Sequence, residues 1–178
     1  MRFSENRLIA RIVLALAIAA SLVFGGGGAL RDLRTDVETC FYANSESISA
    51  ELLEMRSNAA TLLSIAHKYD TAGKEYIDGM DKAIGALDAA EDISGKFQAS
   101  LTLDSAVENL YSHLTGLKLG EVDTQDIRYA YKNFTSAQLR ISHDPYNERA
   151  AEFNKELNRF PAGLLGALTG VKPLDLFQ

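Results

Sequence analysis

The chain has 178 residues, 47% apolar and 24% charged, with no tryptophan and three prolines, enough apolar material for one core in a composition that favours helix. A formal net charge of −6 argues against sequence-independent nucleic-acid binding, which needs a basic face to neutralise phosphates. The single cysteine, Cys40, excludes an internal disulfide and reads as a small packing residue or, alternatively, an intermolecular crosslink.

The first thirty residues have three parts. A leader carries Arg2, Arg7 and Arg11 against Glu5, a net +2. Thirteen uncharged residues follow, opening at Ile12 and closing at Phe24, and four glycines at 25–28 then lead to Ala29, Leu30 and Arg31. Thirteen residues are too few to cross a hydrocarbon core of about 30 Å, which takes about 20 in a helix. Starting at Leu8, residues 8–30 give twenty-three, sufficient if Arg11 snorkels to the headgroups. The same stretch also reads as a signal peptide, with a basic leader, an apolar centre and small residues Gly27, Gly28 and Ala29 at a cleavage position. On either reading positive-inside bias keeps the leader in the cytoplasm and puts the body outside, because residues 31–46 carry a net −2.

From residue 30 onward, apolar residues recur at helical spacing. Leu52, Met55, Ala59, Leu62 and Ala66 form one stripe; Ile77, Met80, Ile84 and Leu87 a second; Val107, Leu110, Leu114 and Leu117 a third. Asp70, Thr71 and Gly73 separate the first two stripes, and Ser94 and Gly95 the next two. Gly116 and Gly120 end the third, and Asp123 and Thr124 cap a fourth helix. The pattern predicts helices over about 30–68, 72–93, 96–115 and from 124 onward, good to about 2–4 residues at each end. Their short connections predict an all-α, up-down-up-down four-helix bundle.

The fourth helix changes face. Ile127, Tyr131, Phe134, Gln138 and Ile141 share one side, but the stripe resumes at Tyr146, Ala150, Phe153, Leu157 and Phe160, a slip of one residue or about 100°. The slip falls at Pro145, which lacks an amide proton and disfavours helix at Asp144. A kink or restart is expected there, with Asp144 as the cap and Pro145 in the first turn. Asn147, Asn154 and Asn158 lie along a flank of this last segment. Asparagine is a mediocre helix former, so three of them point to a fixed partner for each: links to a neighbouring helix, solvent, or a binding edge.

The carboxyl end then completes a recognisable pattern. Tyr146-Asn147, Phe153-Asn154 seven residues on, Phe160-Pro161, Gly166, Gly170 and the closing Phe177 resemble the signature of the LemA family of bacterial membrane-anchored proteins. The N-terminal half matches more loosely, through the hydrophobic leader, a long first helix and the run RSNAATLLSIAHKY at 56–69. Pro145 departs from the commoner pattern, in which an acidic or small residue precedes Tyr-Asn in an unbroken helix. The resemblance implies a retained single N-terminal transmembrane helix that includes Leu8, Arg11, Ile12 and Phe24. It implies a bundle outside the bacterial cytoplasmic membrane, with the N-terminus in the cytoplasm. The expected division is an anchor and glycine hinge over 1–29, a bundle over 30–161, and an apolar tail over 162–178 that folds back as a cap or, alternatively, makes a second membrane or partner contact. The family has no established reaction or cofactor, so a scaffold or adaptor role at the cell envelope is implied. Its members are often encoded near membrane proteins with TPM-type domains, which suggests such a partner; self-association is also open.

No catalytic or metal-binding pattern competes with this. None of His67, His113 or His143 has a glutamate three residues before it, as a di-iron helix pair requires. Cys-x-x-Cys and His-x-x-x-His spacings are absent from the sequence, as is a phosphate-binding glycine loop ending in Lys-Ser or Lys-Thr. Cys40 and the serines have no base at recognisable spacing. Adjacent carboxylates such as Glu91 and Asp92 point to different helix faces and read as solvated surface. A secreted binding module released by leader cleavage, or an enzyme of unrecognised type, are the competing classes.

Overall fold

A computed structural model describes residues 3–42 and 47–178. In chain order its helices are α1 (Phe3–Tyr42), α2 (Ile48–Ala66), α3 (Lys74–Ala89), α4 (Ile93–Thr115), α5 (Glu121–Ser142), α6 (Tyr146–Leu157) and α7 (Ala162–Thr169), with a 3-10 turn at Asp70–Ala72. The described residues contain no strand, so the fold is all-α. The chain divides into two compact units, residues up to 39 with 148–174, and residues 40–147 with 175–178.

The larger unit holds the bundle, α2 to α5. Arg56 of α2 pairs with Asp88 near the end of α3, and His113 at the end of α4 stacks on Tyr76 at the start of α3. Tyr131 of α5 reaches back to Glu108 of α4, and Arg140 at the end of α5 meets Glu51 at the start of α2. His113 with Tyr76 and Arg140 with Glu51 each join the end of one helix to the start of another, so α3 and α4, and α2 and α5, run antiparallel, as the short connections predict. The stripes mostly face inward. Leu52, Met55, Ala59, Leu62 and Ala66 are buried, as are Met80, Ile84, Leu87, Val107, Leu110 and Leu114; Ile77 is half-buried, and Leu117, also half-buried, lies past the end of α4.

The helix ends differ from expectation in three places, each for a local reason. The helix expected over 30–68 is two: α1 ends at Tyr42 and α2 starts at Ile48, where the Ser47 hydroxyl caps it by accepting from the Ala50 amide at 3.3 Å. Ser94 and Gly95 do not separate helices. Asp92 caps α4 by accepting from the Gly95 amide at 2.6 Å, and a Cβ on Gly95 would sit 2.9 Å from that carboxylate oxygen, so the glycine suits the first turn. Asp123 and Thr124 do not cap α5, which begins at Glu121 after Gly120. Asp123 instead accepts from Lys68 at 2.8 Å and from the Tyr69 hydroxyl at 2.5 Å, tying α5 to the end of α2. On α5 the buried row is Ile127, Ala130, Phe134 and Ala137, one residue to the side of the expected Tyr131 and Gln138.

The helix does break at Pro145. α5 stops at Ser142, α6 restarts at Tyr146, and Asp144 caps the restart by accepting from the Tyr146 amide at 2.8 Å. Of the stripe read onto this segment, Tyr146, Ala150, Phe153 and Leu157 are buried. Phe160 is not: it is 86% exposed. α6 ends at Leu157 and residues 158–161 turn, through a cis Phe160-Pro161 bond, so helical phase no longer carries position 160 back to the buried side.

In the smaller unit, α1 is helical from Phe3 and runs through Gly25–Gly28, which therefore form no break. Two of these glycines allow close packing. A Cβ on Gly26 would lie 2.7 Å from Leu165 Cδ1, and one on Gly27 would lie 2.3 Å from Thr169 Cγ2, so α7 fits against α1 only where side chains are missing. Arg31 donates to the Thr169 carbonyl at 2.6 Å, supplying a partner for a C-terminal carbonyl of α7 that lies beyond its ladder.

Candidate functional site

The asparagines of the carboxyl-terminal pattern hold main chain. In the larger unit, Asn147 Nδ2 donates to the Phe177 carbonyl at 2.7 Å, and the Phe177 amide donates to Asn147 Oδ1 at 2.7 Å. In the smaller unit, Asn154 does the same for Leu174: its Nδ2 donates to the carbonyl at 2.9 Å and its Oδ1 accepts from the amide at 2.8 Å. A side-chain amide carries one acceptor and a two-proton donor, so it pairs with a peptide unit much as a neighbouring strand would. Both gripped residues lie in segment 171–178, which follows α7 outside any helix, so its N–H and C=O groups have no ladder to satisfy them. Asn158, beyond the end of α6, is exposed and makes no such pair.

The aromatic members support this arrangement. Tyr146 is fully buried, its ring edge-on to Phe41 at 5.2 Å and its hydroxyl donating to the Asp175 carbonyl at 2.7 Å. Phe177 packs at 5.9 Å from Phe41 and at 5.2 Å from Phe97. In the smaller unit Phe153 is buried, and Gly166 lies where a Cβ would come within 2.7 Å of Leu157 Cδ1. Gly170 ends α7 in the left-handed conformation, φ +74°, which glycine adopts without strain. Phe160 and Pro161 are exposed in the turn before α7. What these residues build is a set of fixed main-chain and ring contacts.

The polar residues between bundle helices are also engaged. Arg140 forks onto Glu51 through two bonds of 2.6 Å and reaches Glu54 at 2.7 Å. Glu51 is buried, and its hydrogen bonds hold the Arg140 proton more tightly than usual. Tyr131 stacks on Tyr111 at 3.7 Å and donates to Glu108 at 2.6 Å; that bond, with some desolvation, pushes its pKa up to about 12. His113 bonds the Thr71 carbonyl through Nε2 at 3.0 Å, His143 bonds the Leu139 carbonyl through Nδ1 at 2.8 Å in the turn at the slip, and His67 is exposed. Among the described residues no three His, Cys, Asp or Glu side chains converge as a metal site would require. Sequence reasoning missed the Tyr131–Glu108 and Arg140–Glu51 pairs because their members lie 23 and 89 positions apart.

One carboxylate carries an electrostatic cost. Asp104 on α4 has a buried Oδ1 with no hydrogen-bond partner. Desolvation pushes its pKa above the usual carboxylate range; a hydrogen bond with Gln138 opposes this, and Glu108 adds to it. A folded-state pKa above the unfolded one means the folded protein binds this proton more tightly, so Asp104 costs stability at neutral pH and less as pH falls through its titration. Asp104→Asn removes the charge whose desolvation is costly and is therefore expected to raise the unfolding free energy at pH 7. Urea titrations repeated toward pH 4 should show the gain fading; a constant gain would assign it to packing.

At the other end, α1 is long and apolar enough to cross a membrane, with a mean hydropathy of 2.1 over its most apolar window, of which only 6% is buried. Leu8 lies in this helix, Arg11 and Ile12 are exposed on it, and Phe24 is 81% exposed. Comparison with models of protein families, with curated proteins and with solved structures gives no match to this chain.

Proposed function

We propose that this chain is a LemA-like, membrane-anchored helical protein that works as a non-enzymatic scaffold or adaptor at the bacterial cell envelope. The observation that carries the reading is α1: its apolar length faces outward, where a soluble helix of that hydropathy would be covered by its own fold. A helix of 40 residues is about 60 Å long, roughly twice the hydrocarbon thickness, so it would cross the bilayer and continue beyond it. The charge step from the leader to residues 31–46 puts the N-terminus in the cytoplasm and the bundle outside. The pairing of Asn147 and Asn154 with the tail gives a mechanical purpose to positions that resemble the LemA signature. A membrane protein with TPM-type domains is the partner class the resemblance suggests.

The test is chemical crosslinking of the full chain in native membranes, with metal analysis of the purified protein alongside. A reproducible adduct with an envelope protein, or with further copies of this chain, is the expected result. Uncrosslinked monomer carrying stoichiometric iron or zinc would overturn it in favour of a metal enzyme.

A further inference from the structure

We propose that α7 and the turn before it dock into the outer leaflet of the bilayer beside α1, so that the smaller unit holds the membrane at two places. This rests on the reading of α1 as a membrane span. The apolar row concerned is Leu164 and Leu168 on α7, with Phe160 in the turn before it, exposed by 56%, 61% and 86%. The residues one step round the helix, Leu165 and Thr169, face α1 at Gly26 and Gly27. The row is therefore left uncovered within its own unit, although α7 carries no charged side chain and is the most apolar short segment of the body.

Depth selects lipid as its occupant. Gly26 and Gly27 lie four and three positions before Leu30, the last uncharged residue of the 8–30 span, about 4 to 6 Å along a helix axis. α7 thus touches α1 just inside the outer end of the span. An interfacial helix buries its apolar face about 5–10 Å into the boundary between headgroups and acyl chains. Phe24 and Phe160, both exposed in this unit, add apolar area of the kind an interfacial segment buries. Just beyond, Arg31, Arg34 and Lys172 border a shallow groove, the charge that lipid phosphates would meet, although Glu38 pairs with part of the Arg34 guanidinium. A lack of basic residues on α7 itself is thereby made good by α1 and by the segment after α7.

The experiment uses the full chain in vesicles of phosphatidylethanolamine and phosphatidylglycerol. With Cys40→Ala as background, an environment-sensitive dye is placed through Ile18→Cys, Phe160→Cys, Leu164→Cys, Leu168→Cys or Val122→Cys, and nitroxide-labelled lipids are added as quencher. All five sites are exposed, and circular dichroism checks that each variant keeps its helix content. Position 18 reports the span, and Val122, an exposed apolar residue of the larger unit, reports background. The expected result is quenching at 160, 164 and 168 within about twofold of that at 18, with little at 122, as for a face buried to the headgroup–acyl boundary. Quenching at 18 alone keeps the anchor and overturns the docking. A blue shift at the row without quenching also overturns it, because protein rather than lipid then covers the face. No quenching at 18 removes the anchor and the proposal together.

Discussion

Tyr146→Ala is expected to lower the unfolding free energy by about 3–5 kcal/mol, the cost of deleting a large buried ring. Tyr146 is among the largest side chains with no exposure, and its ring packs edge-on against Phe41. Such pairs add about 0.5–1.5 kcal/mol beyond the area they bury. Its hydroxyl is the smaller component: Tyr146→Phe keeps the ring and removes one bond to the Asp175 carbonyl, expected to cost about 1 kcal/mol. Chemical denaturation of the two variants beside the parent separates the components. If alanine cost no more than phenylalanine, the ring would not be part of a packed core.

The second large effect is at the paired asparagines. Asn147→Ala and Asn154→Ala each remove two hydrogen bonds and leave a peptide N–H and C=O of the tail unpaired, expected to cost about 1–3 kcal/mol at each site. Asn→Asp is the sharper probe, because it keeps the shape but replaces the donor with an oxygen that faces the Phe177 or Leu174 carbonyl. Aspartate at either position should be as harmful as alanine, and glutamine should not rescue it, since its extra methylene displaces the amide. Hydrogen exchange read by mass spectrometry is the matching measurement: amides at 174 and 177 lose protection in the corresponding variant while those of α2 to α5 keep theirs. Unchanged protection at 174 and 177 would mean that the asparagines are solvated and do not hold the tail.

The parts of this fold that were legible in the sequence are those written in local periodicity. The buried rows of α2, α3 and α4 follow a 3-4 spacing because burying one helix face requires it. The break before Tyr146 was legible because proline removes a backbone donor wherever it stands. Phe160 was misplaced because extrapolating a stripe assumes that the helix continues, and the turn after Leu157 ends that phase. The glycines at 25–28 read as a hinge from sequence, whereas Leu165 and Thr169 need the space that a Cβ at 26 or 27 would fill. Likewise Ser94 and Gly95 look like a break until Asp92 is seen to cap them. The asparagine partners were out of reach of spacing arguments, since they are backbone atoms 20 and 30 positions away. The spacing of Tyr146-Asn147 and Phe153-Asn154 announced that something was fixed there, and the tail is what they fix.

The most direct test is the intact mass of the protein recovered from membranes of cells that produce it, and its digestion when protease is added to protoplasts or spheroplasts, whose cytoplasmic membrane is intact and exposed. A membrane-bound species that includes residues 1–29 and loses its bundle to the protease is the expected result. A soluble species lacking residues 1–29, or a bundle digested only after lysis, would contradict it.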